Sequence, residues 1–67
     1  MITAEMIKSY KKHGGTASNT AIYKDVAEAL GVENDDDFRH CIRGLQQNLS
    51  SAKYLKWNRR GVWTYCK

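Results

Sequence analysis

The spacing of the apolar residues changes once along this chain, and that change predicts the order of its structural elements. Through residue 50 the apolar residues recur every three or four positions, which is the spacing of amphipathic helices. From residue 54 they alternate with polar residues, which is typical of β-strands. Helices followed by a strand pair within 67 residues predict a single α+β domain spanning 1–67. A domain of this size buries only about 60% of its unfolded surface, so its large apolar side chains are needed for the core.

Two helices are predicted in the first half of the chain. The first starts at Thr3, as N-cap, and continues to about residue 12, where the pair Gly14-Gly15 ends it. A second helix starts near Thr20 and ends at Gly31, which favours the left-handed conformation of a C-terminal cap. The polar connector between them is short and leaves room for a brief edge strand.

A third helix is predicted over residues 36–50. Asn34 or Asp35 is a suitable cap, and the acidic run at 33–37 complements the positive end of the helix dipole. An acidic patch for a metal ion or a basic partner is the alternative explanation of that run. The helix has one apolar arc, formed by Phe38, Cys41, Ile42, Leu45 and Leu49. Gly44 costs about 1 kcal/mol inside a helix, which indicates either close packing against another backbone or a tolerated defect.

The last part of the chain predicts a β-hairpin. Residues 54–57 and 62–65 are the strands, and 58–61 form the loop, with Gly61 in a left-handed position. The side chains expected to face the helices are Leu55, Trp63 and Tyr65. The position of Trp57, nearer the tip, stays open.

Charge is sorted between the two halves of the chain. Residues 1–37 contain four lysines and all seven Asp and Glu residues, which gives a net charge of −3. Residues 38–67 contain seven Lys or Arg residues and no Asp or Glu, which gives a net charge of +7. This division predicts a surface whose field attracts a polyanion. The residue types on the third helix and the hairpin also hydrogen-bond to base edges and phosphates. The candidate DNA-binding residues are Arg39, Arg43, Gln46, Gln47, Ser50, Lys53, Lys56, Arg59 and Arg60. An ordinary solvated helix face is the alternative for those on the helix.

Other classes of function have little support in the residues. No enzyme activity is expected, because the domain is too small for an enclosed catalytic pocket and the sequence lacks a glycine-rich phosphate loop. No cofactor or metal is expected, since Cys41 and Cys66 do not show the paired spacing of zinc ligands. Two cysteines, no secretory signal and no apolar run of about 20 residues predict a cytoplasmic protein without a membrane partner.

Three strings of the sequence resemble the small winged helix-turn-helix modules of restriction systems. They are Ile-Tyr-Lys-Asp-Val-Ala at 22–27, Ile-Arg-Gly-Leu-Gln-Gln-Asn-Leu-Ser-Ser at 42–51, and Arg-Gly-Val-Trp at 60–63. The similarity is to the N-terminal domain of Mrr-type restriction proteins and to the related HARE-HTH modules, and it spans about residues 5–65. It implies a winged helix with three helices followed by a two-stranded wing.

The resemblance implies duplex DNA binding, with the third helix in the major groove and the wing on the backbone. A regulatory or restriction-related role follows from it, either in transcription regulation or in restriction-modification. The implied partners are double-stranded DNA and a fused or associated nuclease or a homodimer partner. Two features of residues 1–67 depart from the pattern: they include no nuclease beside the module, and an acidic run precedes the third helix. The alternative is a protein-interaction module that docks on a host or partner protein, and RNA binding is a weaker third option.

Overall fold

The computed structural model describes residues 2–66 and shows three helices and one small sheet. The elements are α1 (Ile2–Lys12), β1 (Thr16–Ser18), α2 (Asn19–Leu30), α3 (Asp36–Ser51), β2 (Leu55–Arg59) and β3 (Val62–Tyr65). The three strands form an antiparallel sheet in the order β1-β3-β2. The predicted α+β fold class is confirmed, and the brief edge strand between the first two helices is present. This order of elements is consistent with a winged helix.

The boundaries of α2 follow from its capping residues. Ser18 has an extended backbone and its Oγ accepts a hydrogen bond of 3.2 Å from the Ala21 amide. At the other end Gly31 adopts the left-handed conformation, with φ 67°, and its amide donates to Glu28 O. The predicted C-terminal cap is therefore confirmed, and the helix starts at Asn19, one residue before the predicted start.

The predicted start of α1 is wrong, because Thr3 already lies inside the helix. The predicted end is correct. The two glycines after the helix have positive φ angles, 78° and 98°. The Gly15 amide donates a hydrogen bond of 2.7 Å to Tyr10 O, which turns the chain into β1.

The N-terminal end of α3 confirms that the acidic run supplies the cap of this helix. Asp35 is the N-cap, and its Oδ1 accepts a hydrogen bond of 2.9 Å from the Phe38 amide. Asp36 and Asp37 occupy the first turn, where their charge complements the helix dipole.

The structure corrects the expectation for Cys41 and decides between the two explanations of Gly44 in favour of a tolerated defect. Cys41 is exposed, whereas Ile42 beside it is fully buried. The reason is that one residue corresponds to a rotation of about 100°, which carries Cys41 beyond the edge of the apolar arc. Gly44 is also exposed, and a Cβ at this position would meet no atom of residues 2–66 within 4 Å apart from the adjoining backbone of its own helix. No backbone therefore packs closely against Gly44.

The hairpin is longer and its turn tighter than predicted. β2 continues to Arg59, and a register shift between Trp57 and Arg59 leaves Asn58 without an opposing residue, as in a β-bulge. Only Arg60 and Gly61 form the turn, and Gly61 has the expected positive φ, 73°.

The core lies between the helices and one face of the sheet. Its buried apolar residues are Met6, Tyr10, Ala17, Ile22, Val26, Ile42 and Leu55. Trp63 and Tyr65 are half-buried and pack against this cluster, so the prediction that they and Leu55 face the helices is confirmed. Within residues 2–66 no helix combines the length and the apolarity needed to cross a membrane.

A polar cluster around Asp25 joins α1 to α2. Ser9 Oγ donates a hydrogen bond of 2.7 Å to Asp25 Oδ2, and His13 Nε2 lies 2.9 Å from the same oxygen. Lys12 Nζ is 3.7 Å from Asp25 Oδ1. The pKa of Asp25 is lowered, and the hydrogen bond from Ser9 is the largest cause. Partial burial raises this pKa, whereas the contacts with His13 and Lys12 lower it further.

We expect Asp25→Asn to destabilise the protein at pH 7 and to lose that effect in acid. Because folding lowers the pKa of Asp25, the stability that its charge contributes is present above the unfolded-state value of about 4. It is lost as the pH falls through the folded-state value. Urea unfolding of both proteins between pH 7 and pH 2 measures this, with Glu28→Gln on the exposed part of α2 as control. The same destabilisation at every pH would contradict the prediction.

Candidate nucleic-acid interface

A cleft of about 390 Å³ separates α3 from the hairpin of β2, β3 and the turn between them, which is called the wing from here on. It is lined by Asn19, Arg43, Gln46, Gln47, Trp57, Arg60, Gly61 and Trp63. Two arginines, three side-chain amides and two indole rings therefore face one space. None of these residues is acidic, and all of them except Asn19 come from the part of the chain after residue 37, which has no Asp or Glu.

Gln46 and Asn19 connect α3, α2, α1 and the wing beneath this cleft. Gln46 Nε2 donates to Tyr10 Oη at 3.1 Å and to Asn19 Oδ1 at 2.8 Å. The backbone amide of Asn19 donates a hydrogen bond of 2.7 Å to Gly61 O in the turn of the wing. Burial raises the pKa of the Tyr10 hydroxyl, so this group stays protonated and neutral beside Gln46. The wing is thus held at a defined position relative to α3.

The prediction that Gln46 contacts bases is wrong. Gln46 is only 2% exposed, and both hydrogens of its side-chain amide form hydrogen bonds within the protein. The sequence carried a signal for this, because four residues correspond to a rotation of about 40° from Ile42. Gln46 therefore belongs to the buried side of α3, which the choice of residue types alone did not reveal.

Arg39 is committed to the start of α3. Its Nε donates to Asn34 Oδ1 at 3.0 Å and its Nη2 to Asn34 O at 2.9 Å. Its Nη1 lies 3.3 Å from Asp36 Oδ1. The guanidinium thus bridges the residues around the cap, and Arg39 is not among the residues that line the cleft.

Arg43 and Gln47 are the two predicted residues of α3 that are exposed at the cleft. Arg43 Nη2 lies 3.2 Å from His40 Nδ1, one turn earlier. Ser50 is half-buried and does not line the cleft. The acidic start of the helix, at Asp36, precedes Arg43 by seven residues, which is about 10 Å along the axis.

Lys53 occupies a backbone conformation that usually belongs to glycine. Its φ is 67°, the one positive value at a non-glycine residue between residues 2 and 66. The amides of Lys53 and Tyr54 donate to Ser50 O at 3.0 Å and Leu49 O at 2.9 Å, closing the end of α3. An exposed lysine at a strained position is consistent with a role for its charge.

We expect Lys53→Gly to raise the free energy of unfolding by roughly 1 kcal/mol, because glycine adopts this conformation without a Cβ clash. Lys53→Ala is the matched control, since it removes the same charge and keeps the strain. Urea unfolding of the three proteins measures the difference. If the glycine variant were no more stable than the alanine variant, the conformation of Lys53 would not be strained.

The remaining predicted residues lie on the wing, and all three are exposed. Lys56 pairs with Thr64, on the opposite side of β2 from the residues that point to the cleft. Arg59 stands opposite Val62 at the bulge, and Arg60 in the turn lines the cleft. The wing therefore carries basic groups along its length.

The cysteines and the other metal-ligating residue types form no metal site within residues 2–66. Cys41 and Cys66 are both free and exposed. In the part of the chain from residue 2 to residue 66, no three His, Cys, Asp or Glu side chains lie close enough together to hold a metal ion.

Comparison with known proteins identified no relative of this chain. No family model matches the chain, and no match was found among curated proteins or among solved structures. The resemblance to the winged modules of restriction systems stays a prediction from the three sequence strings.

Proposed function

We propose that this domain binds double-stranded DNA, with the exposed face of α3 toward the major groove and the wing along the backbone. The observation that carries the proposal is the cleft, where Arg43 and Gln47 of α3 meet Arg60 of the wing without any acidic residue. Arg and Gln are the side chains that pair with guanine and adenine edges in the major groove. Contacts with phosphates require basic side chains beside the cleft, and the exposed residues Lys53, Lys56 and Arg59 supply them.

Within this proposal the contacts divide into two groups. Lys53, Lys56, Arg59 and Arg60 neutralise phosphates, which fixes position but carries no sequence information. Arg43 and Gln47 approach base edges. A single module of this size buries only about 600–1,000 Å² on DNA. A second copy of the chain or an associated nuclease would extend the site, in a regulatory or restriction-related role.

The test is fluorescence anisotropy of a labelled random 20-mer duplex at several salt concentrations. Four phosphate contacts give a slope of log affinity against log salt of about −3.6. The affinity should therefore fall roughly 100-fold between 50 and 200 mM salt. No binding at 50 mM salt would overturn the proposal.

A protein-interaction module is the second candidate, and one exposed apolar residue favours it. Val32 is 49% exposed and directly precedes the acidic run of 33–37. An apolar side chain beside exposed carboxylates suits a basic partner protein. Mutation of Val32 to Asp together with a pull-down tests this candidate, which does not require salt-sensitive affinity for DNA.

A further inference from the structure

The large hydrophobic side chain with the greatest exposure in residues 2–66 lies on the rim of the cleft. Trp57 is 59% exposed, although a domain of this size needs its aromatic rings for the core. It stands opposite Trp63 in the β2–β3 register, and both indoles line the cleft. Trp63 is half-buried and packs on the core, so its place is explained by folding. The exposure of Trp57 is not.

The lining of the cleft fits one nucleotide with an exposed base. An indole ring offers a flat apolar face, on which any base can stack with a gain in affinity of about tenfold or more. Arg43 and Gln47 offer donors and an acceptor for the edge of a base, and Arg60 offers a charge for its phosphate. The volume, about 390 Å³, lies in the range of roughly 300–1,000 Å³ that is usual for small-molecule sites. The positive lining without carboxylates disfavours a cationic occupant.

We propose that the cleft holds one unpaired base of a DNA strand, stacked on Trp57, with its edge toward Arg43 and Gln47. Bases inside a duplex have both faces covered by their neighbours. Trp57 therefore stacks only on a base that has left the helix. This proposal rests on DNA binding as proposed above, and it specifies the DNA: a duplex that contains a bulged or otherwise unpaired base.

The cleft is built before any ligand arrives. The backbone amide of Asn19 donates a hydrogen bond of 2.7 Å to Gly61 O, and Gln46 Nε2 donates one of 2.8 Å to Asn19 Oδ1. These two bonds fix the wing turn against the helices, so the backbone around the cleft needs little ordering when a base enters. A perfect duplex must first unstack a base, whereas a bulged duplex presents one without that cost.

The experiment compares two labelled 20-mer duplexes, one perfect and one with a single-base bulge, by anisotropy at one salt concentration. We expect the protein to bind the bulged duplex about tenfold more tightly. Trp57→Ala should reduce the ratio of the two affinities to about 1, and Trp57→Phe should keep a ratio above 1 because a smaller ring still stacks. Lys56→Ala, on the neighbouring position of β2, should weaken both duplexes and leave the ratio unchanged. A 2-aminopurine base at the bulge should be quenched by the wild-type protein and not by Trp57→Ala.

The outcomes separate this inference from duplex binding itself. Equal affinity for the two duplexes overturns the inference and leaves duplex binding intact. A preference for the bulge that persists in Trp57→Ala also overturns it, since the preference would then arise from the flexibility of the DNA. Binding of the bulged duplex alone supports the stacked base and overturns the binding of perfect duplex. No binding to either DNA removes both proposals.

Discussion

Replacing Gln46 with alanine is expected to lower the free energy of unfolding by about 2–4 kcal/mol, because the change leaves a cavity and removes the donor to two buried partners. The partners are Tyr10 Oη and Asn19 Oδ1. Gln47→Ala, at the next position but exposed, should change it by less than about 0.5 kcal/mol. Urea unfolding followed by tryptophan fluorescence measures both. A domain of 67 residues has only roughly 3–10 kcal/mol in total, so the Gln46 variant loses a large share.

A third variant separates the two causes of this loss. Gln46→Met keeps nearly the volume of the side chain but removes both hydrogen bonds. We expect its loss to be about 1–3 kcal/mol, since the hydroxyl of Tyr10 and the amide oxygen of Asn19 then lack their partner. If the Met variant were as stable as the wild type, packing alone would account for the effect of Gln46→Ala. If Gln47→Ala were the more damaging change, the assignment of the buried side of α3 would be wrong.

The second large effect concerns the wing. Arg59→Ala combined with Arg60→Ala should weaken binding to every duplex by about tenfold, because two phosphate contacts are lost. The slope of log affinity against log salt should become less negative by about 1.8, at about 0.9 for each contact. Anisotropy titrations of several duplex sequences at three salt concentrations measure both quantities.

The matched double variant is Arg43→Ala with Gln47→Ala. These side chains are exposed at the cleft and are expected to face bases, so their loss should reduce the difference in affinity between preferred and random sequences. Each bidentate pair discriminates by about 1–3 kcal/mol. The single variant Gln47→Ala removes no charge, so it should change the slope of log affinity against log salt very little. Identical behaviour of the two double variants on every sequence would refute this division of labour.

Local features of the sequence predicted the elements well. The cap at Gly31 and the turn glycine Gly61 were predicted from residue chemistry, and the structure confirms both. For α3 residue chemistry left Asn34 and Asp35 as the two candidate caps, and the structure selects Asp35. Their success has a physical reason, because capping and left-handed conformations depend on residues a few positions apart. The bulge at Asn58 could not be predicted, since it depends on the register of β2 against β3.

The candidate site was predicted less completely than the fold. Residue type alone selected nine polar residues, but the structure brings Arg43, Gln46, Gln47 and Arg60 to one cleft and leaves the others outside it. Arg39 was selected for its guanidinium, which instead bridges Asn34 and Asp36. Such pairing depends on the conformation of the connecting residues 32–35 before α3, and charge counts carry no information about it.

The sequence by itself determined the order of three helices and a hairpin, and it determined that no Asp or Glu lies between residues 38 and 67. The order of elements follows from residues close together in the chain, and the distribution of acidic residues is read directly from the sequence. The helical spacing from Ile42 places Gln46 near the buried side of α3, but only the tertiary structure decided that its amide group is buried with hydrogen-bond partners while Gln47 stays exposed. The partners that bury Gln46 lie far along the chain, Tyr10 at a separation of 36 residues and Asn19 at 27. A polar side chain becomes part of the core when distant groups satisfy its hydrogen bonds, and that depends on the packing of the whole domain.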